Sequence, residues 1–285
     1  MKKTDNKVFG IVSSAILGLY SLTIIFAFVW ITYSAFKSVY EFSENYFGLP
    51  HRWILDNFKA AFTDFAIPIG TRKVFIEEMV WNSILYAFLY SFIPVLSNTM
   101  VAYVCAKYRT VLTGILYNVV IFLMVMPVLG NLSSGLKMSM VIGTYDNIPL
   151  AALTQFQFGG TGFLIMYAVF KGVSWEYAEA ALVDGILFQI MLPMVKATAF
   201  ALWITSFIGV WNDWQTPLIW FPSYPTVSYG LYFFSNSSTS AGGNTMAGIP
   251  VQFACCVLSA IPMIVLFVIF RDKIIGNMSF GGLKG

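Results

Sequence analysis

Long apolar runs separated by short polar or charged stretches set the pattern of this chain. A helix needs about 20 apolar residues to cross a bilayer. Windows almost free of charge predict six such spans, at about residues 8–36, 79–106, 111–128, 148–170, 192–210 and 249–270. Trp30 and Tyr33 lie near the far end of the first span, where aromatic belts sit. Pro94 marks a possible kink in the second, and the third closes near Pro127 and Gly130. Residues 37–78 mix acids and bases with Pro50, His51, Pro68 and Gly70, which predicts a loop carrying short surface helices. Residues 131–147 read as a polar, glycine-bearing loop, and residues 216–248, with Pro217, Pro222, Pro225 and no charge, as another.

Composition agrees with that pattern. Of the 285 residues, 58% are hydrophobic and only 10% are charged, against about a quarter charged in a soluble domain. The fold class is therefore all-α, a polytopic membrane protein with six transmembrane helices, read as a single transmembrane domain over residues 1–285. The net charge of +3 is small and the bases are scattered, which argues against a nucleic-acid partner. Cys105, Cys255 and Cys256 fall in apolar runs without metal-ligand spacing and read as small core residues. His51 is the single histidine and has no second candidate beside it, so neither a metal site nor an oriented base is expected. No phosphate-binding G-x-x-x-x-G-K-[ST] occurs, so ATP is not expected to bind this chain in that manner.

Orientation follows from the bases. Lys2, Lys3, Lys7, Lys107, Arg109, Lys171, Lys196, Arg271, Lys273 and Lys284 fall on one side, and most of the others lie in the long first loop among acids. Short basic loops face the cytoplasm, so both termini and residues 172–191 are expected inside a cell (plasma) membrane. The apolar run after Lys7 is far longer than a signal peptide's and reads as a retained first span.

Between the fourth and fifth spans stands Trp175 to Pro193, WEYAEAALVDGILFQIMLP. Glu176 to Leu182 contains good helix formers with no Gly or Pro. Gly185 can take the left-handed conformation that ends helices, and Pro193 suits the first turn of the next one. Ala180 and Ala181 leave a face without bulk, flanked by the carboxylates of Glu179 and Asp184. A loop helix lying on the lipid interface has the same composition.

Glu179-Ala180-Ala181, Asp184-Gly185 and Ile190-Met191-Leu192-Pro193 resemble, in order, the EAA loop of bacterial ABC importer permeases. The stretch between Gly185 and Leu192 is shorter than the family's and lacks its usual Ala-Ser opening. Three further segments resemble permeases of the maltose-uptake class. They are Trp53 to Phe62 (W-x-x-x-N-Y-x-x-x-F), Trp211-Asn212-Asp213 (W-N-[DE]) and the tail from Phe270 to Gly285, which ends G-x-x-K-G.

The resemblance implies a cytoplasmic coupling helix in the loop 172–191, with Glu179, Ala180, Ala181, Asp184, Gly185, Leu192 and Pro193 as ATPase-coupling residues. It implies that Gly282, Lys284 and Gly285, in the cytoplasmic tail 271–285, contact the ATPase. The chain is then expected to be the membrane-spanning permease of an importer for a sugar or oligosaccharide, a transport subunit and not an enzyme. Implied partners are a second homologous permease chain, two ATPase subunits and an extracytoplasmic solute-binding protein. No cofactor is expected in this chain; ATP and Mg belong to the partner ATPase. An importer of a non-sugar small solute and a secondary transporter stay open as alternatives, although the latter would show intramembrane carboxylates, which the spans almost lack.

Trp211, Asn212, Asp213, Trp214 and Gln215 are the substrate-path candidates, because amide and carboxylate groups beside aromatic faces suit sugar rings and are expensive at membrane depth. The same cluster could instead anchor and cap the end of its span at the interface. Tyr224, Tyr229 and Tyr232 could meet an external binding protein or pack on the membrane surface.

Overall fold

A computed structural model describes residues 2–108, 110–126, 130–156, 158–174, 192–240 and 248–278. Backbone packing divides the chain into two units, Met1–Ile67 with Leu231–Pro262, and Pro68–Gly230 with Met263–Gly285.

The first unit begins with α1 (Lys2–Ser34). Its 33 residues make about 50 Å of helix at about 1.5 Å per residue. From Phe9 to Val29 its apolar stretch has no buried residue within the chain, which for a helix apolar all round means lipid or another subunit must cover it. The end of α1 is anchored by aromatics and carbonyls. Trp30 Nε1 donates to the Tyr46 carbonyl at 2.9 Å, and the ring packs edge-on against Phe253 at 5.3 Å. Tyr33 Oη donates to the Phe47 carbonyl at 2.6 Å. Lys37 is buried and gives its ammonium to the carbonyls of Asn45 and Tyr46 at the end of α2 (Val39–Glu44). Burial pushes that ammonium below its usual pKa, and the charge of Glu41 opposes the shift.

The Trp53 to Phe62 motif acquires a physical meaning here. It runs into α3 (Asp56–Thr63), where buried Asn57 donates through Nδ2 to the carbonyls of Ala35 and Lys37, both at 2.7 Å. Trp53 and Phe58 both pack on Phe36, at 5.2 and 4.9 Å. Asn57 thus satisfies carbonyls that the end of α1 leaves open. Asn57→Leu is expected to cost about 2–3 kcal/mol, since two buried acceptors lose their donor. A fall in the thermal midpoint of the detergent-purified protein, restored by no other surface change in α3, would register it.

In the second unit, α4 (Ile76–Lys107) is the central element, packed by α7 (Ile148–Leu153), α8 (Gly160–Gly172) and α9 (Leu192–Trp211). A short hairpin of β1 (Ala66–Ile69) and β2 (Arg72–Phe75) precedes it. Pro94 sits inside α4 without ending it. Between α4 and α8 the core holds Ala102, Tyr103, Cys105, Phe163, Met166 and Phe170, joined by Val120 of α5 (Val111–Val125) and Val195 of α9.

Among the described residues four helices are long and apolar enough to cross a membrane: Phe9–Ser34, Ile76–Lys107, Pro193–Trp211 and Ile249–Arg271. The expected fourth span, 148–170, is not one helix. It is split into α7 and α8, because Gly159 (φ 146°), just before α8, and Gly160 (φ 66°), its first residue, hold positive φ values that a continuous right-handed helix does not, and the Gly159 N–H is captured by Asn98 Oδ1 at 2.9 Å. The expected loop 131–147 contains α6 (Leu132–Ile142), ended by left-handed Gly143. The expected loop 216–248 contains α10 (Gln215–Trp220) and α11 (Val227–Ser240). The last helix, α12 (Ile249–Met278), continues past the predicted stop at residue 270, since Arg271, Asp272 and Lys273 are all tolerated in a helix.

Candidate functional site

The end of α9 carries the Trp211 to Gln215 cluster, and the structure gives its members different tasks. Trp211 is buried, 3% exposed, and stacks on Phe207 at 6.2 Å. Asp213 is fully engaged. Its Oδ1 accepts the N–H groups of Gln215 and Thr216 at 3.0 and 3.1 Å, satisfying donors at the start of α10, and its Oδ2 accepts from Tyr86 Oη at 2.8 Å. Tyr86 lies on α4, is 2% exposed, and packs on Tyr90 and Phe221 at 4.6 and 5.9 Å. Asp213 is therefore a bracket between α4 and α10. Asn212 turns its Nδ2 back to the Ile208 carbonyl at 2.8 Å. Asn212, Trp214 and Gln215 remain at the surface, so these three form the part of the cluster that can meet a ligand.

Residues that no local motif points to hold the loop after α10. Asp146 has a positive φ of 56°, its N–H donates to the Trp220 carbonyl at 2.9 Å, and its Oδ1 accepts from Ser223 N–H at 2.9 Å. Arg72 donates to the Ser223 carbonyl at 3.0 Å and pairs with Glu78 at 3.2 Å. Asn82 Nδ2 donates to the Pro225 carbonyl, and Ser83 Oγ accepts the N–H of Val227 at 2.8 Å. Ser228 Oγ donates to the Trp211 carbonyl. Tyr229 is buried, and burial raises its phenol pKa, while Tyr224 and Tyr232 are exposed.

Of the coupling candidates, Glu179, Ala180, Ala181, Asp184 and Gly185 lie outside the described residues, as do Gly282, Lys284 and Gly285 of the tail. Leu192 opens α9 and Pro193 is its second residue, exposed, in the turn where a missing N–H costs nothing. The stretch leading into the segment is tied down. Buried Lys107, the last residue of α4, donates from Nζ to the Val173 carbonyl at 2.6 Å, just beyond α8. No local motif marks Lys107 for this contact. Lys171 lies over the Tyr167 ring at 5.8 Å. Among the described residues no three His, Cys, Asp or Glu side chains converge on a point that could hold a metal.

No protein-family model matches the chain. It is 26% identical to the diacetylchitobiose uptake system permease protein NgcG of Streptomyces coelicolor over 99% of this chain and 91% of that protein. It is 23% identical to the sulfoquinovosyl glycerol transport system permease protein SmoH of Agrobacterium fabrum over 92% and 89%. It is 27% identical to the arabinooligosaccharides transport system permease protein AraQ of Halalkalibacterium halodurans over 83% and 81%. Its fold matches a chain of a bacterial ABC transporter involved in import of the acidic polysaccharide alginate, with a TM-score of 0.71, 20% identity, and coverage of 94% of this chain and 97% of that one.

Proposed function

We propose that this chain, a permease subunit of the ABC importer class by the sequence and fold it shares nearly end to end with such subunits, carries a sugar or oligosaccharide across the cell membrane. The observation that carries the reading is that full-length agreement, since it covers spans and loops together. As a permease the chain is a transport subunit, and hydrolysis of ATP belongs to separate ATPase subunits. In this reading ATP and Mg are held by two such subunits, a second homologous permease completes the pore, and a solute-binding protein delivers the sugar from outside. Six spans place both termini and residues 172–191 in the cytoplasm, in keeping with the bases collected there. Residues 111–125 with their continuation, and the α7–α8 pair, serve as the third and fourth spans.

The packing supports a mechanical route. In sequence the Glu179 segment connects α8 to α9, both of which pack along α4, and Lys107 ties the end of α4 to Val173. A push on that segment loads both helices against α4 together, and a packed helix transmits displacement because interiors are close-packed and poorly compressible. Asn212, Trp214 and Gln215, at the opposite end of α9, would then move with it and meet the sugar.

Purified from its native membrane, the chain is expected to bring ATPase subunits with it. In proteoliposomes containing the whole complex and a solute-binding protein, a saccharide should stimulate ATP hydrolysis. Co-purification without stimulation by any saccharide, but with stimulation by another solute class, would replace the substrate assignment and leave the subunit assignment intact.

A further inference from the structure

A groove of about 400 Å³ runs between α4 and α9. One wall is a single face of α4, from Phe88 through Phe92 to Thr99. The other is a single face of α9, from Trp203 through Ala199 to Lys196. At one end Phe88 stacks on Phe92 at 5.5 Å, and Trp203 meets Phe88 edge-on at 5.9 Å. Phe88 and Phe92 are each 43% exposed, so the groove is open to what surrounds the helices. The Thr99 hydroxyl donates to its own helix at Val95, 2.7 Å away, and so offers its proton to no ligand. Lys196 is the charged residue on the lining, and among the described residues no carboxylate forms an ion pair with it.

A sugar needs several hydrogen-bonding groups, which this lining lacks. An acyl chain needs none. From Thr99 to Phe88 the groove follows α4 for roughly 16 Å at about 1.5 Å per residue. Half of a hydrocarbon core of about 30 Å is about 15 Å, so the groove is one leaflet deep. Its cation stands at one end only, near the start of α9, where Phe200 also packs on Phe270 at 4.9 Å and Arg271 follows. The geometry points to a binding site for one anionic phospholipid, with an acyl chain along Phe92 and Trp203 and the headgroup phosphate on Lys196. The function proposed above enters only in naming the leaflet, which is the cytoplasmic one.

The test is native mass spectrometry of the detergent-purified full chain, with whatever subunits accompany it, incubated with equal amounts of phosphatidylglycerol and phosphatidylcholine bearing identical acyl chains. The wild type is expected to retain one phosphatidylglycerol with about fivefold preference, the worth of one basic side chain against an anionic lipid. Lys196→Gln should equalise the two lipids, and Ala199→Phe, which fills the groove, should lose both. Glycerol 3-phosphate should not compete, because it has no chain to seat. Equal retention by the wild type, an unchanged preference in Lys196→Gln, or displacement by glycerol 3-phosphate would overturn the site. So would an Ala199→Cys variant that cross-links to a second permease chain in the assembled complex while no lipid is retained. None of these readouts involves transport, so failure here leaves the importer assignment standing.

Discussion

Replacing Glu179 with alanine, or Gly185 with valine, is expected to lower sugar uptake by about tenfold or more while the protein still inserts and assembles. The size follows from coupling free energies between sites, which run to about 1–3 kcal/mol or 5–150-fold. If the segment docks on the ATPase, Glu179 offers the carboxylate for that partner, and its loss would weaken the grip without touching the spans. Gly185 would act through the backbone. If it ends the helix in the left-handed region, a β-branched residue there costs at least about 1–2 kcal/mol and changes how the chain leaves the helix. The two variants therefore fail differently. Glu179→Ala should weaken recovery of the ATPase in a pull-down, whereas Gly185→Val should retain the ATPase and its hydrolysis but lose the link to uptake. Uptake and hydrolysis measured together in proteoliposomes distinguish these outcomes, and undiminished uptake in both variants would remove the segment from the mechanism.

The long spans were legible because the bilayer imposes a length, and runs such as 8–36 and 249–270 satisfy it with almost no charge. The break at Gly159-Gly160 was not, since it lies inside an apolar run and depends on Asn98, 61 residues away, capturing the Gly159 N–H. The helix Leu132–Ile142 was hidden by Ser133, Ser134, Gly135 and Lys137, which read as loop. Gly135 fits closely there, because a Cβ at that position would stand 3.0 Å from the Trp220 ring, which would have to give by a few tenths of an ångström. In the candidate site, sequence located the Trp211 to Gln215 cluster but could not separate bracket from ligand surface. That division is decided by Tyr86, 127 residues from Asp213 in sequence, and the loop after α10 is likewise held by Ser83, Asp146 and Arg72, whose partners lie 144, 77 and 151 residues away. Polar side chains that bind distant carbonyls and N–H groups leave no period in the sequence, whereas apolar faces do.

The bracket assignment makes Asp213→Leu a stability variant before it is a transport variant. The substitution removes an acceptor from the Tyr86 hydroxyl, which is buried, and from the N–H groups of Gln215 and Thr216. Hydrogen bonds to a charged group contribute about 1.5–3 kcal/mol each and are not additive, so a loss of about 3 kcal/mol is expected. For a chain of this size that corresponds to a fall in thermal midpoint of roughly 6–12 °C, readable by a detergent unfolding assay. Asp213→Asn keeps one oxygen for the two N–H groups and should lose less than half as much. Tyr86→Phe removes the other partner of the same bond, and the double variant with Asp213→Asn should be less destabilised than the sum of the two singles, since they share one interaction. Gln215→Ala, whose side chain is exposed, should leave the midpoint within about 2 °C, because surface substitutions away from such contacts usually stay within ±0.5 kcal/mol, and Trp214→Ala is compared with it. If those two face the sugar, they raise the saccharide concentration needed to stimulate hydrolysis and Asp213→Asn does not. An Asp213→Asn protein with the wild-type midpoint and a strongly shifted saccharide dependence would reverse the assignment, making Asp213 the ligand-facing residue and Tyr86 its support.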